Sequence, residues 1–382
     1  MNTAGATAMQ SEKKTYVTRP LMPPLEAFIP YLEQIWDNQQ LTNNGPCHQQ
    51  LEEALADYLG VEHLCLFSNG TMALLTALQA LRVTGEVITT PYSFVATAHS
   101  LLWNGLTPVF VDTEPGGFNL DAEQIEQAIT SHTTAIMPVH CYGLPCNTAR
   151  IQQIADLYGL KVIYDAAHAF GVRQQGRSVL LEGDLSVLSF HATKVFNTIE
   201  GGAIICHDAS MKRRIDLLKN FGIADENTVV AAGINGKMNE LQAAWGLLQL
   251  QHIDSAIEQR TALYTQFRQG LEGIDGITLP SVPEGLGWNY AYFPVVVEDN
   301  YPLTRDELFD ALVARNIIPR RYFYPLITSF HMYRHARGAE PEALPNAHFV
   351  ADRVICLPFY PGLESGVVSK IVNIVAGQAR PA

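Results

Sequence analysis

Between Val61 and Asp208 the chain alternates short apolar, β-branched runs with stretches whose apolar residues recur at i, i+3 and i+4. That alternation restricts the fold to a mostly parallel sheet with crossover helices packed on its faces, an α/β architecture. Seven runs read as strands: "HLCLFS", "EVITT", "TPVFVD", "TAIMPV", "KVIYD", "SVLSF" and "GGAIICH". "DAEQIEQAIT" and "NTARIQQIADLYG" carry the spacing of crossover helices. After Gly236 a helical pattern without proline runs from about 238 to 272 and reads as one long helix bridging to a smaller α/β unit. In that unit "NYAYFPVVV" is the expected strand and "TRDELFDALVARN" the expected helix. The predicted organisation is a flexible arm over residues 1–18, a large domain over 19–250 and a small C-terminal domain over 251–382. A chain of 382 residues with 47% hydrophobic and 16% charged content supplies the core for both.

The formal net charge of −13 argues against nucleic acid or an anionic membrane as partner, because both require a basic face. An anionic ligand must therefore be held by local groups. The six cysteines, Cys47, Cys65, Cys141, Cys146, Cys206 and Cys356, form no C-x-x-C pair and suit a reducing compartment. "MNTAGATAMQSEKKTYVTRP" lacks an apolar signal core and no later apolar run reaches membrane-spanning length, so the expected location is the cytoplasm.

The familiar nucleotide motifs are missing. No G-x-G-x-x-G follows a strand, and "GINGKM" lacks the spacing and the Ser or Thr of a P-loop. "SFHATKVFNTIEGGAI" instead places Lys194 just past an apolar strand, where it is a solvated loop residue, an ion-pair partner or a reactive amine. In "LFSNGTMALLTALQAL" a strand runs straight into a helix at Gly70 and Thr71, pointing free N–H groups and the helix dipole at one spot. Taken alone, this is first a capped turn without a ligand. Asp165 in "KVIYDAAHAFG" ends another strand at the carboxyl edge, where open α/β sheets bind ligands, although a buried capping aspartate looks the same. His140, His168 and His191 also follow strand-like runs, and with Asp165 they constitute a rival metal-site reading whose spacing fits no zinc motif. One chemistry uses the other parts together. Pyridoxal 5'-phosphate requires a lysine for imine formation, an acid against the pyridine nitrogen, a phosphate cup and an aromatic face, which Lys194, Asp165, the Gly70 and Thr71 turn, and Phe94 supply.

The long motifs "LTNNGP", "LEEALADYLGVEHLCLFSNGTMAL", "TTPYSFVATAHSLLWNGLTPVFVD", "PVHCYGLPCN", "YDAAHAFG", "LSFHATKVFNTIEGGAI" and "GINGKMNELQAAWGLLQL" occur in an order that resembles the DegT/DnrJ/EryC1/StrS sugar aminotransferases, over nearly the whole chain from Arg19. The resemblance implies the aspartate aminotransferase fold (PLP fold type I), with Lys194 as the Schiff-base lysine and proton shuttle and Asp165 as the pyridinium partner. It further implies that Gly70, Thr71 and Ser189 hold the phosphate, that Phe94 stacks on the ring, and that Asn235 completes the phosphate site of a partner subunit in a homodimer. His168 stands where the family more often has glutamine, Lys237 where arginine is frequent, and Ile327 where many relatives carry histidine. The implied substrates are L-glutamate and a nucleotide-linked keto sugar. "SFHATK" and "MPPLEAFIPYLEQIW" are most similar to enzymes that aminate C4 of TDP-4-keto-6-deoxy-D-glucose for lipopolysaccharide O-antigen, with C3 amination of a 3-keto isomer the nearest alternative. Sugar contacts are expected from Asn43 and from Arg320, Tyr322 and Tyr324. A PLP-fold protein that binds ligand without turnover is the alternative from another class.

Overall fold

All seven expected strands form in the computed structural model, which describes residues 14–377. They are β1 (His63–Phe67), β2 (Glu86–Thr89), β3 (Thr107–Phe110), β4 (Thr133–Met137), β5 (Lys161–Asp165), β6 (Leu185–Ser189) and β7 (Gly202–Cys206). They make one sheet in the order β1-β7-β6-β5-β4-β2-β3, in which β7 alone runs against its neighbours. The apolar runs are nearly continuous because both faces of the sheet are covered. Alternate side chains divide between them: Leu64, Leu66 and Leu188 enter one core cluster, and Cys65, Phe67 and Val187 the other.

Helices α1 (Leu25–Asn38) and α2 (Pro46–Leu59) precede the sheet, and α3 (Gly70–Ala80) and α4 (Ala96–Trp103) follow β1 and β2. Helix α2 puts Leu51, Leu55 and Leu59 into the first cluster, whereas α3 puts Ala73, Leu74, Ala77 and Leu78 into the second. The free N–H groups of Cys47 and His48 at the start of α2 donate to the buried carboxylate of Glu240 at 2.8 and 2.9 Å. A residue almost 200 positions away thus satisfies a helix end.

Three expectations change. The predicted single helix over about 238–272 is two, α5 (Glu240–Leu250) and α6 (Ile253–Leu271), divided at Gln251 and His252. No glycine or proline marks the break. It follows from packing, since α5 lies on α1 and α2 while α6 lies on the C-terminal helix Ser365–Val375. Of the expected flexible arm, residues 1–13 fall outside the described residues, but Thr15–Tyr16 pairs in parallel with Ile317–Ile318 and the buried Val17 accepts a bond from Phe359 N. Finally, the C-terminal part does more than add a separate sheet (Ile277–Thr278, Phe293–Val297 and Val354–Leu357). Trp288 Nε1 and Asn289 Nδ2 donate to the carbonyls of Tyr142 and His168, bracing loops at the sheet's carboxyl edge. Among the described residues no helix is long and apolar enough to cross a membrane.

Close approach at the β1-β7-β6 junction yields a prediction. A Cβ on Gly202 would lie 2.8 Å from the backbone N and Cα of Gly70, atoms that cannot rotate away. Gly202→Ala is expected to destabilise the fold by about 1–3 kcal/mol, read from urea unfolding at constant m-value.

Candidate active site

Six parallel strands point their carboxyl ends to one edge, and there a cleft of about 670 Å³ opens. It is lined by residues following β1 (Asn69, Gly70, Thr71), β2 (Ser93, Phe94), β5 (Asp165, His168) and β6 (Ser189, His191, Lys194). The loop after β6 is held rigidly. Lys194 N donates to His191 O at 2.8 Å, residues 195–198 are buried, and Asn197 Oδ1 accepts from Trp245 Nε1 at 3.0 Å. The Glu-Gly-Gly turn is required by space: a Cβ on Gly201 would overlap Thr198 Oγ1 at 1.9 Å. Lys194 is therefore a half-buried amine on a fixed loop, facing a cavity.

Desolvation lowers Lys194 to about 8, while the charge of Asp165 pulls the other way. Desolvation likewise raises Asp165, opposed by the Thr97 hydroxyl donating to Oδ2 at 2.7 Å, Ala167 N donating to Oδ1 at 3.1 Å, and Lys194. A buried carboxylate held by two donors favours a cationic N–H as its further partner. His168 is driven well below its ordinary value by burial and then by Lys194. Its Nδ1 accepts from Tyr142 N at 3.0 Å, so the neutral ring carries its proton on Nε2.

At the start of α3, Asn69 Oδ1 accepts from Met72 N at 2.9 Å, leaving the N–H groups of Gly70 and Thr71 free for an anion. Ser189 closes the cup: a Cβ on Gly70 would sit 3.0 Å from Ser189 Cβ and 3.2 Å from its Oγ. Phe94, 60% exposed, forms a wall of the same cleft and is not a core aromatic. The donor set fits a pyridine ring bearing a phosphate. Gly70, Thr71 and Ser189 would take the phosphate, Asp165 the ring nitrogen, His168 Nε2–H a ring oxygen, Phe94 the ring face and Lys194 the aldehyde.

The structure leaves three expected residues outside this cleft. Asn43 lines a separate cleft of about 410 Å³ with Lys212 and Lys237. Asn235 is exposed and bridges to Asn220, and Tyr324 lines a neighbouring cleft that shares Arg320 and Tyr322 with this one. The histidines do not converge as the metal reading required. His140 stacks on Tyr164 at 4.5 Å and accepts from Cys146 N, His168 is held as above, and His191 Nε2 lies 3.6 Å from Glu200. Among the described residues no group of three or more His, Cys, Asp or Glu side chains is arranged to hold a metal. Sequence reasoning missed Thr97, though a threonine in the first turn of a helix that starts at the carboxyl edge was a readable signal. It also missed Tyr92 and Tyr142, whose hydroxyls share a hydrogen bond at 2.6 Å and both lie within hydrogen-bond reach of the carbonyl of Tyr322.

Two outcomes follow from this geometry. Reaction of the cofactor-free protein with a pyridoxal probe at Lys194 should rise through a midpoint near pH 8, two units or more below an ordinary lysine, because only the neutral amine attacks. Thr97→Val removes a donor that favours the Asp165 carboxylate, and should speed cofactor loss on dialysis by about tenfold or more, with Thr97→Ser restoring retention.

Residues 25–376 match the DegT/DnrJ/EryC1/StrS aminotransferase family. The chain is 54% identical over 370 residues to a dTDP-4-amino-4,6-dideoxy-D-glucose transaminase of Escherichia coli, covering 96% of this chain and 100% of that protein. It is 56% identical over 365 residues to the Shigella dysenteriae enzyme of the same name, covering 95% and 99%. Among solved structures, DesI in the presence of its TDP-sugar product is similar with a TM-score of 0.91 at 33% identity, over 96% of this chain and 95% of that one. By the extent of these matches and the geometry of the cleft, the chain belongs to the DegT/DnrJ/EryC1/StrS aminotransferase family.

Proposed function

We propose that the protein is a pyridoxal 5'-phosphate-dependent aminotransferase that moves the amino group of L-glutamate to C4 of TDP-4-keto-6-deoxy-D-glucose. The observation that carries the reading is the meeting of Lys194, Asp165 and the free N-terminus of α3 in one cleft. The choice of sugar rests on the 54% and 56% identity to two dTDP-4-amino-4,6-dideoxy-D-glucose transaminases. When bound, the cofactor supplies an electron sink for the pair released as a substrate carbon loses its proton.

The chain's own residues do the rest. With Lys194 near 8, roughly one-tenth of the amine is neutral at pH 7, ready to attack a carbonyl or accept a proton. Asp165 would hold the ring nitrogen and favour its protonated form, and the bonds from Thr97 and Ala167 fix the carboxylate in position. His168 presents Nε2–H as a neutral donor that does not compete for the proton. Phe94, Tyr292 and Phe323 line the cleft and limit water around the reacting atoms. The proposed site is shared between two copies in a homodimer, with Asn235 reaching the partner's phosphate. The exposed apolar residues Phe221, Val229, Val230 and Ile234 on the same pair of loops support a covered surface there. A cytoplasmic role in O-antigen synthesis fits the proposed product.

NMR of the product formed from L-glutamate and TDP-4-keto-6-deoxy-D-glucose, with no ketoisomerase present, should show nitrogen on C4. No product until a 3,4-ketoisomerase is added would assign C3 amination instead. Mixing and reassembling Lys194→Ala and Asn235→Ala chains, each inactive alone, should restore activity in hybrid dimers, which contain one site with both residues intact. Verified hybrids without activity would place Asn235 outside the shared site.

A further inference from the structure

The Lys194 cleft adjoins a second cleft of about 680 Å³, and Ser93, Phe94, Arg320, Tyr322 and Phe323 line both. Arg320 therefore stands at the junction. Its backbone is pinned to the C-terminal sheet, with Arg320 N donating to Cys356 O at 3.1 Å and Cys356 N donating to Arg320 O at 2.7 Å. Two residues on, the carbonyl of Tyr322 is held by Tyr92 and Tyr142, which fixes the segment against the β2 end of the catalytic sheet. The guanidinium lies 5.6 Å from the centre of the Tyr322 ring, a cation–π contact that leaves its N–H donors unused.

Charge accounting singles this arginine out. Among the described residues lining the two clefts, the other cationic or ionisable basic groups are committed. Lys194 is the reacting amine, His168 is neutral and bonded at Nδ1, and His191 lies beside Glu200. Arg321 donates to Asp306 at 2.7 Å and covers the Phe309 ring at 3.7 Å. Apart from the reacting amine of Lys194, Arg320 alone among these basic groups has no side-chain hydrogen bond or ion pair among the described residues, although Asp165 and Glu200 line the same space. A protein of net charge −13 draws an anion into an acidic cleft only where a local cation compensates.

We propose that Arg320 is the oxyanion anchor of the substrate site, with its planar fork taking a carboxylate or a diphosphate at the junction of the two clefts. The inference rests on the aminotransferase reading above, in which both substrates are anions. A guanidinium matches either ligand bidentately, whereas an ammonium gives only a point charge. The reacting end of the ligand lies toward Lys194. The remainder extends into the second cleft, whose walls include the aromatic rings of Phe309, Tyr324 and Phe330.

The test compares wild type, Arg320→Gln and Arg320→Lys as holoenzymes, following each half-reaction in a single turnover by absorbance, with calorimetry of glutarate and of thymidine diphosphate on the cofactor-free proteins. Arg320 is exposed, so the variants should keep wild-type circular dichroism and cofactor content. Arg320→Gln should weaken apparent binding of at least one anion about tenfold or more while the limiting rate changes little, with Arg320→Lys in between. Weakened glutamate and glutarate identifies a carboxylate as the occupant, and weakened nucleotide sugar and thymidine diphosphate identifies a diphosphate. Unchanged binding of both probes overturns the proposal. If wild type performed neither half-reaction the functional reading would fall, yet the calorimetry would still decide whether Arg320 holds an oxyanion.

Discussion

The cleft depends on holding Lys194 and Asp165 in one poorly solvated space at the carboxyl edge of the sheet. Burial acts on the two in opposite senses, pushing the lysine toward its neutral amine and the aspartate toward its neutral acid, while their mutual attraction resists both changes. The surrounding structure breaks this symmetry. Burial is the leading influence on both groups, but Thr97 and Ala167 donate to Asp165 and oppose the loss of its charge. One group remains a base and the other a counter-charge, the division of roles that imine chemistry needs.

Close packing makes that arrangement rigid. Gly202 lets β7 approach the start of α3, Gly201 lets the lysine loop fold over Thr198, and Ser189 sits against Gly70. The glycines near Lys194 are therefore spacing devices that bring a helix N-terminus and a strand end to one anion site. The C-terminal half contributes through Trp288, Asn289 and the Tyr322 carbonyl, which tie the histidine loop and the second cleft to the same edge.

Much of this was legible in the sequence because it is local. Each of the seven strands announces itself by an apolar run, and Lys194, Asp165 and Gly70 each lie at a strand end that periodicity locates. What sequence reading missed depends on tertiary contact. The break at Gln251 and His252 carries no glycine or proline and arises because the two helices pack on different partners. Thr15–Tyr16 looked like arm residues until Ile317–Ile318 supplied their pairing edge. Thr97 matters through a carboxylate 68 positions away, and the clasp of Tyr92 and Tyr142 on Tyr322 spans 230 and 180 positions. Asn43 shows the converse, since sequence similarity drew it to a cleft that the structure does not let it line.

The central claim is that this cleft carries out amino transfer and does more than bind a ligand. The most direct measurement is the visible spectrum of the protein loaded with pyridoxal 5'-phosphate, recorded as L-glutamate and then TDP-4-keto-6-deoxy-D-glucose are added. The account predicts that glutamate bleaches the yellow colour, that the keto sugar restores it, and that Lys194→Ala does neither. A spectrum that stays yellow through both additions, in protein with full cofactor content, would contradict it.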